Sequence, residues 1–165
     1  MTIHTTTPPS AHVASDPLGL HWTQDSTPRT GRVVVGVDGS DSSVLALARG
    51  LRIANALNTN LEIVTSWGYP DDFGNVPTAQ NWSPQQDAID ILNDAVHGIF
   101  PGARPEWVSV HPRQGHAADV LIDAGNGAEM LIVGSRGHGG IIGMLLGSVS
   151  AQCAERASCP VLVMH

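Results

Sequence analysis

Three glycines between residues 133 and 149 recur at a spacing that could hold a ligand against the backbone. In the stretch VGSRGHGGIIGMLLGSV, two residues separate Gly134 from Gly137, nine separate Gly137 from Gly147, and Ser148 follows directly. Glycine lets the backbone approach a ligand closely, because no Cβ stands in the way. A glycine pattern of this kind is typical of a loop that holds a phosphate, and a Gly-rich surface loop is the alternative.

The segments on either side of the glycines favour the phosphate interpretation. The apolar run Met130 to Val133 predicts a buried strand, and Ser148 to Ala157 predicts a helix. The first turn of a helix leaves backbone N–H groups without internal partners, and its dipole end is positive. A loop between a strand end and a helix start therefore predicts an anion site.

Other side chains of the loop could assist. Ser135, Arg136 and His138 flank the glycines. Arg136 could grip a phosphate with its guanidinium, and His138 could do so when protonated, although both residue types are also common as solvated surface groups. Ser148 could donate its hydroxyl to a phosphate or cap its own helix, and Val149 offers its N–H at the same helix start.

Other catalytic and metal motifs are missing. The segment GMLLGS resembles a Walker A loop but has no lysine before its serine, and neither GxGxxG nor G-x-S-x-G occurs. His111 and His116 have no cysteine or histidine at metal-binding spacing. The sequence therefore predicts no catalytic residues and no protein-bound metal.

Strands alternate with helices along the chain, which predicts an α/β fold with a doubly wound parallel sheet. Helices on both faces would cover it, since the strands are continuously apolar. The predicted strands are Arg32–Asp38, Leu61–Trp67, Glu106–His111, Glu129–Ser135 and Pro160–Met164. The predicted helices cover approximately Val44–Leu57, Ser83–Ile99, Gly115–Ala124 and Ser148–Ala157.

Composition limits the function classes. The 165 residues hold 42% hydrophobic residues and a net charge of −7, with only 8 Lys and Arg, which argues against nucleic-acid binding. No apolar window is long enough to span a membrane, and no secretory signal is evident. Two cysteines without a CxxC motif fit a cytoplasmic protein. Residues 1–30 are predicted to form a disordered tail, residues 31–165 one domain, and Gly68–Trp82 a long functional loop.

The pattern G-x2-G-x9-G-[ST] resembles the phosphate-binding loop of the universal stress protein family, in its ATP-binding branch. The resemblance extends from about Arg32 to His165, and includes VVVGVDGSDSS and CPVLVMH. It implies a five-stranded sheet in the order 3-2-1-4-5 and a homodimer through the last strand, Pro160–Met164. In that order the chain reverses its winding between strands 1 and 4, where open α/β sheets bind ligands.

The resemblance also implies residue roles. Backbone groups of Gly36 and Val37 would lie near adenine, and Asp38 would contact the nucleoside, although Asp38 could instead belong to the cap of the next helix. Trp67 matches a position whose backbone contacts adenine, and its ring could add an apolar wall or pack in the core. The candidate nucleotide-binding residues are Gly36, Val37, Asp38, Trp67, Val133, Gly134, Ser135, Arg136, Gly137, His138, Gly147, Ser148 and Val149.

The resemblance implies an ATP-binding stress-response regulator, in which we expect the nucleotide to act as a switch. Magnesium would bridge the phosphates, because an acidic chain has few cations to neutralise them. Any hydrolysis would be slow, since no general base is positioned for phosphoryl transfer. One alternative is a protein-interaction module of the same fold that binds no nucleotide. Another is an adenylyl-transferring enzyme of the related α/β group.

Overall fold

The three consecutive valines Val33–Val35 are fully buried, because they form a central strand that is covered on both faces. The computed structural model describes residues 28–69, 82–137 and 146–165. In order, the elements are β1 (Arg32–Gly36), α1 (Asp41–Leu57), β2 (Asn60–Trp67), α2 (Pro84–Ile99), β3 (Val108–Gln114), α3 (Ala117–Ala124), β4 (Met130–Gly134), α4 (Ser148–Arg156) and β5 (Val161–Met164).

The five strands form one parallel sheet in the order β3-β2-β1-β4-β5, which confirms the predicted fold. Helices α1 and α2 contribute Leu47, Leu51 and Leu92 to a core on one face. Helix α3 contributes Leu121, and α4 contributes Cys153, to a core on the other face. The first turns of the helices lie at the same sheet edge as the carboxyl ends of the strands, which brings backbone donors to that edge.

The strand prediction was wrong in detail for β3, which begins at Val108 and continues past Pro112 to Gln114. The predicted strand ended at His111, directly before a proline, which cannot donate a ladder hydrogen bond. In the described sheet β3 is an edge strand that pairs only with β2, where Pro112 lies opposite Thr65. A proline is tolerated there, because its missing N–H faces away from the neighbouring strand.

Residue 29 lies within the predicted tail, yet it is anchored to the domain. The guanidinium of Arg29 donates to the carbonyls of Ala54 and Thr59 at 3.3 and 3.1 Å, and lies 3.9 Å from the centre of the Trp107 ring. It thereby binds carbonyls at the C-terminal end of α1. Residues 1–27 lie outside the described residues, so a disordered tail remains a prediction.

The same holds for most of the predicted long loop, since residues 70–81 are not described. Within the ranges the structure does describe, no helix is both long and apolar enough to cross a membrane.

Candidate functional site

A cavity of about 290 Å³ lies at the carboxyl ends of β1, β2 and β4. The starts of α1, α3 and α4 close it, through Ser43, Ala117 and Ser148. This is the edge at which the glycine motif and strand 1 were expected to meet. Most of the predicted site residues line the cavity: Gly36, Val37, Asp38, Val133, Gly134, Arg136, Gly137, Gly147, Ser148 and Val149.

The first two glycines of the motif have different neighbours. A Cβ on Gly134 would meet the Ser42 hydroxyl and would stand 2.9 Å from the backbone nitrogen of Ser43. A Cβ on Gly137 would instead meet the Asp38 carboxylate. Gly134 therefore permits β4 to pack closely on the start of α1, whereas Gly137 keeps space beside a side chain of the cavity wall.

The start of α4 presents its N–H groups without a side-chain cap. The N-caps of α1 and α2 are Ser40 and Ser83, whose side chains accept backbone N–H groups at 3.3 Å. The N-cap of α4 is Gly147, which has no such bond, and the first turn of α4 contains no acidic residue. Because the positive end of this helix dipole faces the cavity through Ser148 and Val149, an anion would be stabilised there.

Ser135 supports this junction from beneath rather than lining the cavity. It is buried, and its carbonyl accepts the Gly147 N–H at 2.7 Å and the Ser150 hydroxyl at 3.1 Å. The predicted residue Ser135 thus ties the end of β4 to the start of α4. Ser150 lines the cavity and was missed by sequence reasoning.

Asp38 fits both interpretations that the sequence left open. Its Oδ1 atom accepts the Ser40 N–H at 3.0 Å and the Ser40 hydroxyl at 2.6 Å, as a residue of the α1 cap would. Asp38 also lines the cavity, and its Oδ2 atom lies on the side of Gly137. One carboxylate therefore shapes the turn and borders the site.

The backbone of Val37 is largely engaged within the protein. Its N–H donates to the carbonyl of Val64 at 2.9 Å, and its carbonyl accepts the Thr65 hydroxyl at 2.6 Å. Only the second lone pair of that carbonyl could accept from a ligand. Gly36, the other predicted backbone contact, is the last residue of β1 and pairs with Val64.

Trp67 is not among the described residues that line the cavity. Its carbonyl accepts the Gly115 N–H at 2.8 Å, and its ring meets Tyr69 edge to face at 6.3 Å between centroids. Side chains alternate along a strand, so Trp67 shares the face of Thr65, while Val64 and Ser66 lie on the face that borders the cavity. Alternation along β2 puts Val64 and Ser66 on the face opposite to Trp67, and the structure shows that this face borders the cavity.

The charges at the cavity are few. Among the described residues that line it, Arg136 carries the one positive charge and Asp38 the one negative charge. Arg136 is exposed, so its guanidinium could turn towards a bound phosphate. His138 lies outside the described residues. No three His, Cys, Asp or Glu side chains come together as a metal site in the described ranges.

Comparison with known proteins identifies relatives across almost all of the described chain. The model of the universal stress protein family matches residues 30–165. A universal stress protein of Mycolicibacterium smegmatis is 31% identical over 159 residues, which are 93% of this chain and 53% of that protein. One from Mycobacterium tuberculosis is 33% identical over 139 residues, covering 82% of this chain and 46% of that protein. The chain thus spans about half the length of these curated relatives.

A solved structure matches over nearly its whole length. The crystal structure of a universal stress protein in complex with cAMP is 32% identical, with a TM-score of 0.60, and the match covers 82% of this chain and 97% of that one. The family model covers residues 30–165, these relatives agree with it, and the chain belongs to the universal stress protein family.

Proposed function

We propose that this chain binds ATP in the cavity at the ends of β1 and β4, and that the bound nucleotide acts as a switch in a stress response. The observation that carries the proposal is the start of α4, where an uncapped helix N-terminus follows the complete glycine motif and faces the cavity. That arrangement suits the negative charge of a phosphate chain. The crystal structure with cAMP, 32% identical to this chain, supports an adenine nucleotide as the ligand class.

The residues divide between the two ends of the nucleotide. The phosphates would lie against Gly137, Ser148 and Val149, with Arg136 turning in from the exposed side. The nucleoside would lie towards Asp38 and the tips of β1 and β2. There Gly36 and the Val37 carbonyl would border it. Val64 and Ser66 would supply a wall, a role that the Trp67 ring was one possibility to fill.

Mg²⁺ would enter this site bound to the phosphates of ATP, and the protein alone would not hold it. Mg²⁺ takes oxygen ligands and is commonly held by one or two carboxylates together with substrate phosphates. Asp38 is the carboxylate among the described lining residues, and its Oδ1 atom already holds Ser40. The ion would therefore arrive on ATP and neutralise charge that Arg136 alone cannot balance.

We propose a switch rather than an efficient enzyme. The ionisable side chains that line the described cavity are Asp38 and Arg136. Rapid phosphoryl transfer needs a base or water-positioning group in addition to charge stabilisation, and Asp38 is committed to the turn before α1 through Ser40. The bound ATP should therefore be hydrolysed slowly compared with the lifetime of its complex with the protein.

The proposal includes a homodimer that pairs through β5. In the described sheet this strand has a neighbour on one side only, β4, and each of its four residues is partly buried. An apolar edge strand invites pairing with a second chain. Sedimentation of the purified protein should give a dimer, and a monomer at high concentration would contradict it.

The free thiols Cys153 and Cys159 fit a reducing compartment, so we propose the cytoplasm as the location of this protein.

A thermal-shift titration with Mg-ATP tests the proposed function. A ligand present at about 100 times its Kd stabilises a protein by about 2.7 kcal/mol, which for a domain of this size raises Tm by roughly 5–10 °C. The Gly137→Val variant should lose this shift, because its side chain pushes against Asp38 and fills space beside the phosphates. An unchanged Tm for the wild type at millimolar Mg-ATP would favour an interaction module instead. Rapid release of AMP and pyrophosphate would favour an adenylyl-transferring enzyme.

A further inference from the structure

The first turn of α1 is bonded to the glycine loop, where Arg136 lies 94 positions after Ser42 along the chain. The Ser42 hydroxyl donates to the carbonyl of Arg136, and the Ser40 hydroxyl lies 3.3 Å from the same oxygen. Each hydroxyl has one proton to donate. Ser40 directs its proton to the Asp38 carboxylate at 2.6 Å, so Ser42 is the effective donor to Arg136.

This contact depends on the first glycine of the motif. A Cβ on Gly134 would collide with the Ser42 hydroxyl and with the backbone of the same turn. The lack of a side chain at Gly134 therefore lets Ser42 reach past the end of β4 to the loop. Two separate features of the sequence, a glycine on one segment and a serine on the other, serve one contact.

The contact fixes the direction of a peptide group in the loop. The carbonyl of Arg136 and the N–H of Gly137 belong to the same planar trans peptide, so they point in opposite directions. Since Ser42 holds the carbonyl on its own side, the Gly137 N–H is turned away from Ser42. Gly137 lines the cavity and Ser42 does not. No acceptor for the Gly137 N–H is found in the described part of the chain.

We infer that Ser42 is a positioning residue for phosphate, which acts by aiming the Gly137 N–H into the cavity. This inference rests on the proposed nucleotide binding and adds a residue outside the glycine motif to it. Ser42 touches no ligand itself. Its hydroxyl preorganises a donor that would otherwise have to reorient when the phosphates arrive, and such preorganisation increases affinity.

The role makes a specific demand on ligand selectivity. Loss of the Ser42 hydroxyl should weaken binding of ATP but not of adenosine, because only the phosphates would meet the Gly137 N–H. Hydrogen bonds to charged groups such as phosphate are stronger than those between neutral groups. Misplacing the Gly137 N–H in Ser42→Ala should therefore lower the ATP affinity about tenfold. Ser42→Thr retains the hydroxyl and should keep most of the affinity. Ser158→Ala is the matched control, since its exposed hydroxyl bonds Asn126 instead of the glycine loop.

Calorimetric titration of the full chain with ATP and with adenosine, alongside Tm measurements without ligand, separates the outcomes. Selective loss of ATP affinity in Ser42→Ala, with Ser42→Thr and Ser158→Ala near wild type, is the expected result. Equal ATP affinity in Ser42→Ala and wild type would overturn the role of Ser42 and leave nucleotide binding intact. Parallel losses of ATP and adenosine affinity with a lower Tm would reduce Ser42 to a structural residue and overturn the inference as well.

A second measurement uses the wild type alone and does not depend on how the variants fold. The amide proton of Gly137 should move downfield in the NMR spectrum on addition of ATP, and should hardly move with adenosine. An unmoved Gly137 resonance in protein saturated with ATP would overturn the inference while confirming that the nucleotide binds. Absence of ATP binding to the wild type would remove the proposed function and the inference together.

Discussion

Replacing Gly134 with alanine tests whether the first glycine of the motif serves packing or phosphate contact. The added Cβ would meet the Ser42 hydroxyl and would stand 2.9 Å from both the Ser42 carbonyl carbon and the Ser43 backbone nitrogen. Two of these three neighbours are backbone atoms at the start of α1, which cannot rotate away as a side chain could. The end of β4 or the start of α1 must therefore shift.

The expected cost follows from this crowding. Overpacking a well-packed site costs about 1–3 kcal/mol. For a domain of roughly 150 residues each kcal/mol lowers Tm by about 2–4 °C, so Gly134→Ala should lower Tm by roughly 2–12 °C. The backbone of Gly134 does not have a positive φ, so the effect is steric rather than conformational.

Gly98→Ala is the matched control. It makes the same substitution in α2, where an added Cβ would meet nothing within 4 Å. Alanine has the higher helix propensity, so this variant should equal or exceed the wild type in stability, by up to about 1 kcal/mol. Urea unfolding of both variants measures their free energies of unfolding, which should fall for Gly134→Ala and stay equal or rise for Gly98→Ala.

Two outcomes would refute a packing role for Gly134. If Gly134→Ala were as stable as the wild type but no longer bound ATP, Gly134 would serve phosphate contact directly, and the crowding against Ser42 would have been overestimated. If both alanine variants lowered the stability equally, the difference in their surroundings would have no energetic meaning.

Three further changes test other parts of the account. Asp38→Ala should weaken binding of adenosine and ATP alike and lower the stability by about 1 kcal/mol, since the Ser40 N–H and hydroxyl lose their acceptor; calorimetry showing unchanged affinity would remove Asp38 from the site. Glu62→Gln should lower the free energy of unfolding, measured in urea, by about 1–3 kcal/mol, because this buried carboxylate binds Arg32 at 3.1 Å and Arg113 at 2.6 Å. Solvent screens the pairs in part, since both arginines are about one-third exposed. An unchanged free energy of unfolding would contradict the pairing. Burial raises the pKa of the Cys153 thiol from 9.0 to about 11. The unfolded chain therefore loses this proton first, and the stability should fall as pH rises from about 9 to 11, by at most about 1.4 kcal/mol per pH unit. In Cys153→Ala that fall should be shallower, and an equal fall would assign it to other groups.

Much of the fold follows from local sequence patterns. The continuous apolar run of β1 and the alternation of strands with helices predict a covered parallel sheet, and Ser83 followed by a proline predicts the start of α2. These features are local, because they depend on side chains and caps within a few residues. The strand order came from family resemblance, since connections of this length allow more than one order.

The site was predictable where its residues belong to one segment and less so where two segments meet. The glycine spacing identifies the loop, but nothing in that segment shows that Gly134 packs on Ser42, which lies far from it along the chain. The family resemblance assigned Trp67 to the site through its backbone, whereas Ser66, on the opposite face of β2, lines the described cavity.

Calorimetric titration of the wild type with Mg-ATP is the decisive test of phosphate binding at the start of α4. We expect a saturable heat with one nucleotide per chain, and no such heat from Gly137→Val although that variant remains folded. A well-folded wild type that gives no binding heat at millimolar Mg-ATP would contradict the claim that the uncapped start of α4 and the glycine loop form a phosphate site.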